Sequence, residues 1–177
     1  LLILEITWGD TLIGRAWKFS DNVDTDVIIP YKYKARSIDP KELAEHCMEG
    51  IAPGFSKKVK KGDFIVAGRN FGCGSSREQA PVAIKACGIS AVIAESFARI
   101  FYRNAINIGL PVIISKDFPK ETNEGDLVEM DLREGVVKNL SNGKIMKINK
   151  HPDFLEKMLE AGGLIEYYKK FGKFPWE

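Results

Sequence analysis

Three short runs of unbroken apolar residues, Phe64-Ile65-Val66-Ala67, Ala91-Val92-Ile93-Ala94 and Leu110 to Ile114, constrain this chain more than any other feature. A strand with one wet face alternates apolar and polar residues. An unbroken run is needed only where both faces are covered, as in a parallel sheet packed between helices. The intervening segments supply those helices: Ser76 to Cys87 and Phe97 to Ile108 space their apolar residues at helical intervals, and each is followed by a glycine, Gly88 or Gly109. Strand, helix, strand, helix, strand predicts right-handed βαβ crossovers and an α/β core with a mainly parallel sheet.

Around this core, residues 12–19 alternate loosely as a strand, and Val27-Ile28-Ile29, stopped by Pro30, reads as a short buried strand. Asp39-Pro40-Lys41-Glu42 is a helix start, with Asp39 as cap, Pro40 in the first helical position and Glu42 where a capping box wants an acid. Leu43, Ala44, Cys47 and Met48 follow as its inward stripe. Past Ile114, segments 126–132, 136–140 and 144–148 alternate as strands, with Asn142-Gly143 as a hairpin signal, so an antiparallel section is expected beside the parallel one. Pro152 to Phe171 reads as an amphipathic helix interrupted at Gly162-Gly163. A length of 177 residues suits one well-buried core and is short for two ordinary domains.

Formal net charge is +2, from 26 basic and 24 acidic residues spread along the chain, which leaves no footprint for nucleic acid. Any anion must be held locally. The apolar opening Leu1 to Leu4 stops at Glu5, far short of a membrane span, so no membrane partner is expected. Cys47, Cys73 and Cys87 are odd in number and form no CxxC pair, which points to a reducing, cytoplasmic setting. His46 and His151 read as helix-face and helix-start residues.

The chemistry concentrates in Gly68-Arg69-Asn70-Phe71-Gly72-Cys73-Gly74-Ser75-Ser76-Arg77-Glu78, between a buried strand and a helix. Such junctions gather unpaired backbone N–H groups and a positive dipole end, so anions bind there. Gly72 and Gly74 would let the backbone approach a ligand, and Arg77, read as lying in the first helical turn, adds a two-pronged donor for a carboxylate. A plainer reading stands beside this one: Ser75-Ser76-Arg77-Glu78 also satisfies a capping box, in which Ser75 and Glu78 only close the helix end. That reading leaves unexplained a cation placed against the helix dipole. A dinucleotide fingerprint with Glu95 as its acid fails because Arg77 occupies the third small position, and no Gly-Lys-Ser/Thr follows for a P-loop.

Three segments in order, NVDTDVIIP (22–30), GSSRE (74–78) and ESFARIFYRNAINIGLP (95–111), resemble the swivelling domain of the aconitase superfamily. Within it they are most similar to the separate small subunits of 3-isopropylmalate dehydratases. The resemblance runs from Gly14 to Phe174, so 14–177 is read as the swivel domain and 1–13 as an N-terminal extension or edge strand. It implies a hydro-lyase that isomerises 2-isopropylmalate and 3-isopropylmalate by dehydration and rehydration, a step of leucine biosynthesis. It also implies site residues: Ser75 as the proton-abstracting base, Ser76 and Arg77 on the substrate's carboxylates and hydroxyl, Thr25 and Asp26 lining the site, and Arg36 on a distal carboxylate.

A serine oxygen is a poor base unless its alkoxide is stabilised, which main-chain donors and Arg77 would have to do. A Lewis acid for the leaving hydroxyl is also needed. Cluster ligation of the family type uses three cysteines, two closely spaced, and Cys47, Cys73 and Cys87 read instead as packing residues. The resemblance therefore implies no cofactor in this chain and a four-iron four-sulfur cluster in a separate large subunit. Tyr102, Arg103 and Asn104 read as core or subunit-interface residues, and Phe97, Ile100, Phe101, Ala105 and Ile108 as core.

The loop from Tyr31 to Ile38 departs from the family's simplest pattern, in which an apolar loop welcomes an isopropyl group; here it is strongly cationic. An inward Arg36 would favour homoaconitate or a related hydroxy acid. A non-catalytic module that binds small acids alone is a further alternative.

Overall fold

The computed structural model describes residues 11–177. The apolar runs become strands in chain order: β1 (Leu12–Phe19), β2 (Phe64–Ala67), β3 (Ala91–Ala94) and β4 (Val112–Ile114), then β5 (Leu127–Asp131), β6 (Val136–Asn139) and β7 (Lys144–Lys147). They form one seven-stranded sheet in the order β4-β3-β2-β1-β5-β6-β7. Strand β1 belongs to both halves. Ala16–Phe19 pair parallel with β2, whereas Leu12–Arg15 pair antiparallel with β5. The expected α/β architecture, a parallel core with an added antiparallel section, is what forms. Of the segment 1–13, residues 1–10 lie outside the described residues, and Leu12 and Ile13 belong to β1.

The helices are α1 (Thr25–Ile28), α2 (Tyr31–Lys34), α3 (Pro40–Glu45), α4 (Phe55–Lys58), α5 (Gln79–Ala86), α6 (Arg99–Asn107), α7 (Asp153–Glu160) and α8 (Leu164–Phe171). Every residue of β2 and β3 is buried, as a strand covered on both faces requires. Crossover helices α5 and α6 contribute Ala83, Ile84, Phe101 and Ala105 to that core. Beneath β1, the buried Asp63 accepts from Arg15 N, Trp17 Nε1 and Lys60 N at 3.0, 2.9 and 2.9 Å, so both its oxygens are satisfied. The half-buried Lys85 donates to the carbonyls of Ile108 and Gly162 and so ties α5 to the end of α6 and to the α7–α8 break. No helix among the described residues is long and apolar enough to cross a membrane.

Local signals hold where a cap is present. Asp39 accepts from Lys41 N at 3.0 Å and Pro40 opens α3, although the Asp39 N–H goes to Ser37 Oγ instead of Glu42. Three expectations are corrected. The Val27–Ile29 strand is the helical turn α1, because Asp24 accepts from Asp26 N at 2.7 Å and closes a turn; Ile28 and Ile29 still reach the core. The helix expected from Ser76 starts at Gln79, so Arg77 precedes it. Ile100, expected in the core, is 51% exposed on the outer side of α6.

Candidate active site

Parallel strands send their following loops out of one end of the sheet, and here three such loops are sewn together. Gly72 N donates to Val23 O, Thr25 N to Cys73 O, Phe71 N to Ser96 O and Ala98 N to Phe71 O, all within 3.0 Å. Bridges Asp24 to Cys73 and Phe71 to Phe97 continue the β1–β2–β3 pairing beyond the strands themselves. At the base of the loops, Asp21 pairs with Arg69 at 2.8 Å, and the Arg69 backbone N–H first, then its guanidinium, hold that carboxyl below its usual range.

The glycines serve this stitching. A Cβ on Gly72 (φ 76°) would lie 2.1 Å from Phe101 Cγ, and one on Gly74 (φ 89°) 2.3 Å from Asp24 Oδ2. Both were expected to make room for a ligand; they make room for an aromatic ring and a capping carboxylate.

Ser75 is exposed, and its Oγ accepts from Arg77 Nε at 2.5 Å. Arg77 in turn lies 4.0 Å from Asp26 Oδ1 and 5.8 Å from the Tyr31 ring centre, so carboxylate and ring steer the fork toward Ser75. The buried Thr25 donates its Oγ1 to Ser75 O at 3.0 Å and holds the backbone of the loop. The capping-box alternative is not realised: Ser75 Oγ is engaged by Arg77, and Glu78, at the helix start, makes no capping bond with its side chain.

A cavity of ≈ 560 Å³ opens here, with Thr25, Asn70, Ser75 and Arg77 on one side and Phe97, Arg99, Ile100 and Arg103 on the other; no acid lines it. Of the residues singled out in the sequence, Ser75, Arg77 and Thr25 are brought together at this cavity, and Asp26 stands behind Arg77. Ser76 and Arg36 are both exposed and do not line it. Sequence reasoning missed Asn70 and Arg99. The signal for Arg99 was available: it is a cation in the first turn of α6, as adverse to the helix dipole as the one suspected at Arg77.

The model for the aconitase C-terminal domain matches residues 48–117. A 3-isopropylmalate dehydratase small subunit from Caldicellulosiruptor saccharolyticus is 56% identical over 165 residues, 93% of this chain and 95% of the relative. The chain belongs to the 3-isopropylmalate dehydratase small-subunit family. A methanogen homoaconitase small subunit from Methanothermobacter thermautotrophicus is 57% identical over 157 residues, 89% of this chain and 90% of the relative, so the family holds more than one substrate name. The crystal structure of 3-isopropylmalate dehydratase (leuD) from Methanocaldococcus jannaschii superposes with a TM-score of 0.86 at 56% identity, covering 91% of this chain and 95% of that one.

For a small subunit of this family, the iron–sulfur ligands are the telling question. Cys47 and Cys87 line a separate cavity of ≈ 670 Å³ beside the ends of α3 and α5, whereas Cys73 lies in the stitched loop. Burial first, and the Asp24 carboxylate second, push the Cys73 thiol up, which disfavours the thiolate a metal would need. Among the described residues no group of three or more His, Cys, Asp or Glu comes together as a metal site. The thiols present do not fit a cluster.

Proposed function

We propose that this chain is the small subunit of a two-chain hydro-lyase that interconverts 2-isopropylmalate and 3-isopropylmalate by removing and re-adding water. The observation that carries the reading is Ser75 Oγ, exposed at a cavity lined by three arginines and no acid, with a guanidinium nitrogen 2.5 Å away. In it Ser75 takes the proton from the substrate carbon next to a carboxylate. Arg77 stabilises the alkoxide that makes this possible, and its second prong, with Ser76, holds a substrate carboxylate. Thr25 and Asp26 position this pair, the first through the Ser75 carbonyl, the second by aiming Arg77. Returning the proton from Ser75 completes re-addition.

The leaving hydroxyl needs a Lewis acid, which we assign to a four-iron four-sulfur cluster in a large subunit, since the thiols here do not fit one. Three free cysteines suit a reducing, cytoplasmic setting. Arg36 would meet a carboxylate beyond the cavity's rim. Its place outside the lining favours a substrate with an apolar distal group, and the homoaconitase alternative, which needs a further cation inside, is not favoured.

The test is to mix the chain with a cluster-restored large subunit and assay isopropylmalate and homoaconitate. Turnover of isopropylmalate only in the mixture is expected, with Arg36→Ala nearly neutral on that substrate. Tight binding of small acids by the isolated chain, with no turnover in the mixture, would favour the non-catalytic module.

A further inference from the structure

Helix α6 has two faces of opposite character. Phe101, Ala105 and Ile106 are buried against the sheet, whereas Arg99, Ile100 and Arg103 face outward and are exposed. Neither of the two arginines meets a carboxylate or a hydrogen-bond acceptor among the described residues. Both placements are electrostatically adverse, because Arg99 opens the helix, where the backbone dipole repels a cation, and Arg103 repeats the charge one turn on. Arg77 stands just ahead of α5. Two helix starts thus bring three guanidiniums to one rim that contains no acid, and the missing counter-charge has to come from outside the chain.

A substrate enclosed beside Ser75 would answer Arg77. It would not cover an isoleucine 51% exposed on the outer side of α6 between two exposed arginines. Arginines flanking an exposed aliphatic side chain are the composition of a protein interface, in which the apolar anchor is desolvated and the rim charges are matched. We propose that Arg99, Ile100 and Arg103 form the face that docks on the large subunit, against a surface that places carboxylates around an apolar contact. The proposal rests on the two-chain reading above and on continuity: this face shares its rim with Ser75 and Arg77. A chain that supplies half of an active site must turn the open side of that half toward the subunit that completes it. Docking there also shuts water out of the cavity.

The test is a calorimetric titration of the full chain with a cognate, cluster-restored large subunit in the absence of substrate, followed by turnover assays. R99E/R103E should raise Kd by at least about tenfold, and I100D should do the same, with circular dichroism unchanged. Wild-type affinity should fall as salt rises from about 50 to 300 mM, and that dependence should flatten in R99E/R103E. Should the reversal variant not fold, Arg99→Gln/Arg103→Gln reads the same loss with less repulsion. Unchanged affinity in a folded variant, with or without a raised KM for isopropylmalate, overturns the docking face. So does a loss of affinity on Trp176→Ser, at the exposed C-terminal aromatic patch, that R99E/R103E does not share. A wild-type chain that binds no large subunit overturns the two-chain reading instead, a distinguishable result.

Discussion

The two halves of the sheet share strand β1, yet only one of them carries a site. In the parallel half, β2 and β3 are buried along their whole length and helices occupy the crossovers. Their outgoing loops all leave at one end, where main-chain bonds can fasten them to each other. In the antiparallel half, β5 and β6 alternate buried with less buried residues, and β7 is a mostly exposed edge guarded by Lys144 and Lys147. Hairpins return their loops alternately to both ends, so no three of them converge. Convergence of loops, more than burial, is what lets a sheet build a site.

The largest effect that would test this division is Ser75→Ala. Turnover in the reconstituted enzyme should fall by about 100- to 10,000-fold with the melting temperature unchanged, and retention of activity would remove the base from the parallel half. Next comes Gly72→Ala, which forces a Cβ against the Phe101 ring in a left-handed backbone. Unfolding in urea should show a loss of about 2–4 kcal/mol, and a neutral result would mean that the stitched loops are loose.

A comparable lesion in the antiparallel half should cost stability alone. Asn139 is fully buried, donates to Glu121 O and Asp126 Oδ2, and accepts from Ser141 N and Asn142 N. Asn139→Ala should lose about 1–3 kcal/mol in the same urea experiment, while turnover per folded molecule stays level. A drop in turnover there would couple the halves and break the comparison.

The smallest effect is pH-dependent and lies at the parallel edge. Burial holds the His151 imidazole below its usual range, partly offset by a hydrogen bond with the Val112 backbone. A base whose pKa is lowered on folding costs nothing while it is neutral in both states. The penalty grows as pH falls below the unfolded value of about 6.5, because the unfolded chain then binds the extra proton. Thermal melts between pH 7 and pH 5 should therefore lose more stability in the wild type than in His151→Asn. Parallel curves would show that His151 is not a source of acid sensitivity.

Much of the fold could be read from residues alone. Four fully buried positions in a row leave no room for a polar side chain, so β2 and β3 fall on the apolar runs residue for residue. Asp39 and Pro40 start α3 by bonds that close within a few residues. Val27–Ile29 misled because β-branched residues suit a strand, and a neighbouring carboxylate that captures a backbone N–H outweighed that preference. For the site, Ser75, Arg77 and Thr25 were recognisable by resemblance, whereas Asn70 and Arg99 were not, since they come from loops 29 residues apart in sequence that only sheet pairing unites.

By itself, the order of residues determined the strands, the crossover helices and the presence of an anion-seeking loop, because burial, capping and periodicity act over a few positions. Only the tertiary structure decided that Ser75 answers to Arg77 and not to its own helix, that Gly72 yields to Phe101, and that Arg99, Ile100 and Arg103 face outward. Those outcomes depend on which distant segments the parallel pairing brings within a few ångströms, and no local spacing encodes that.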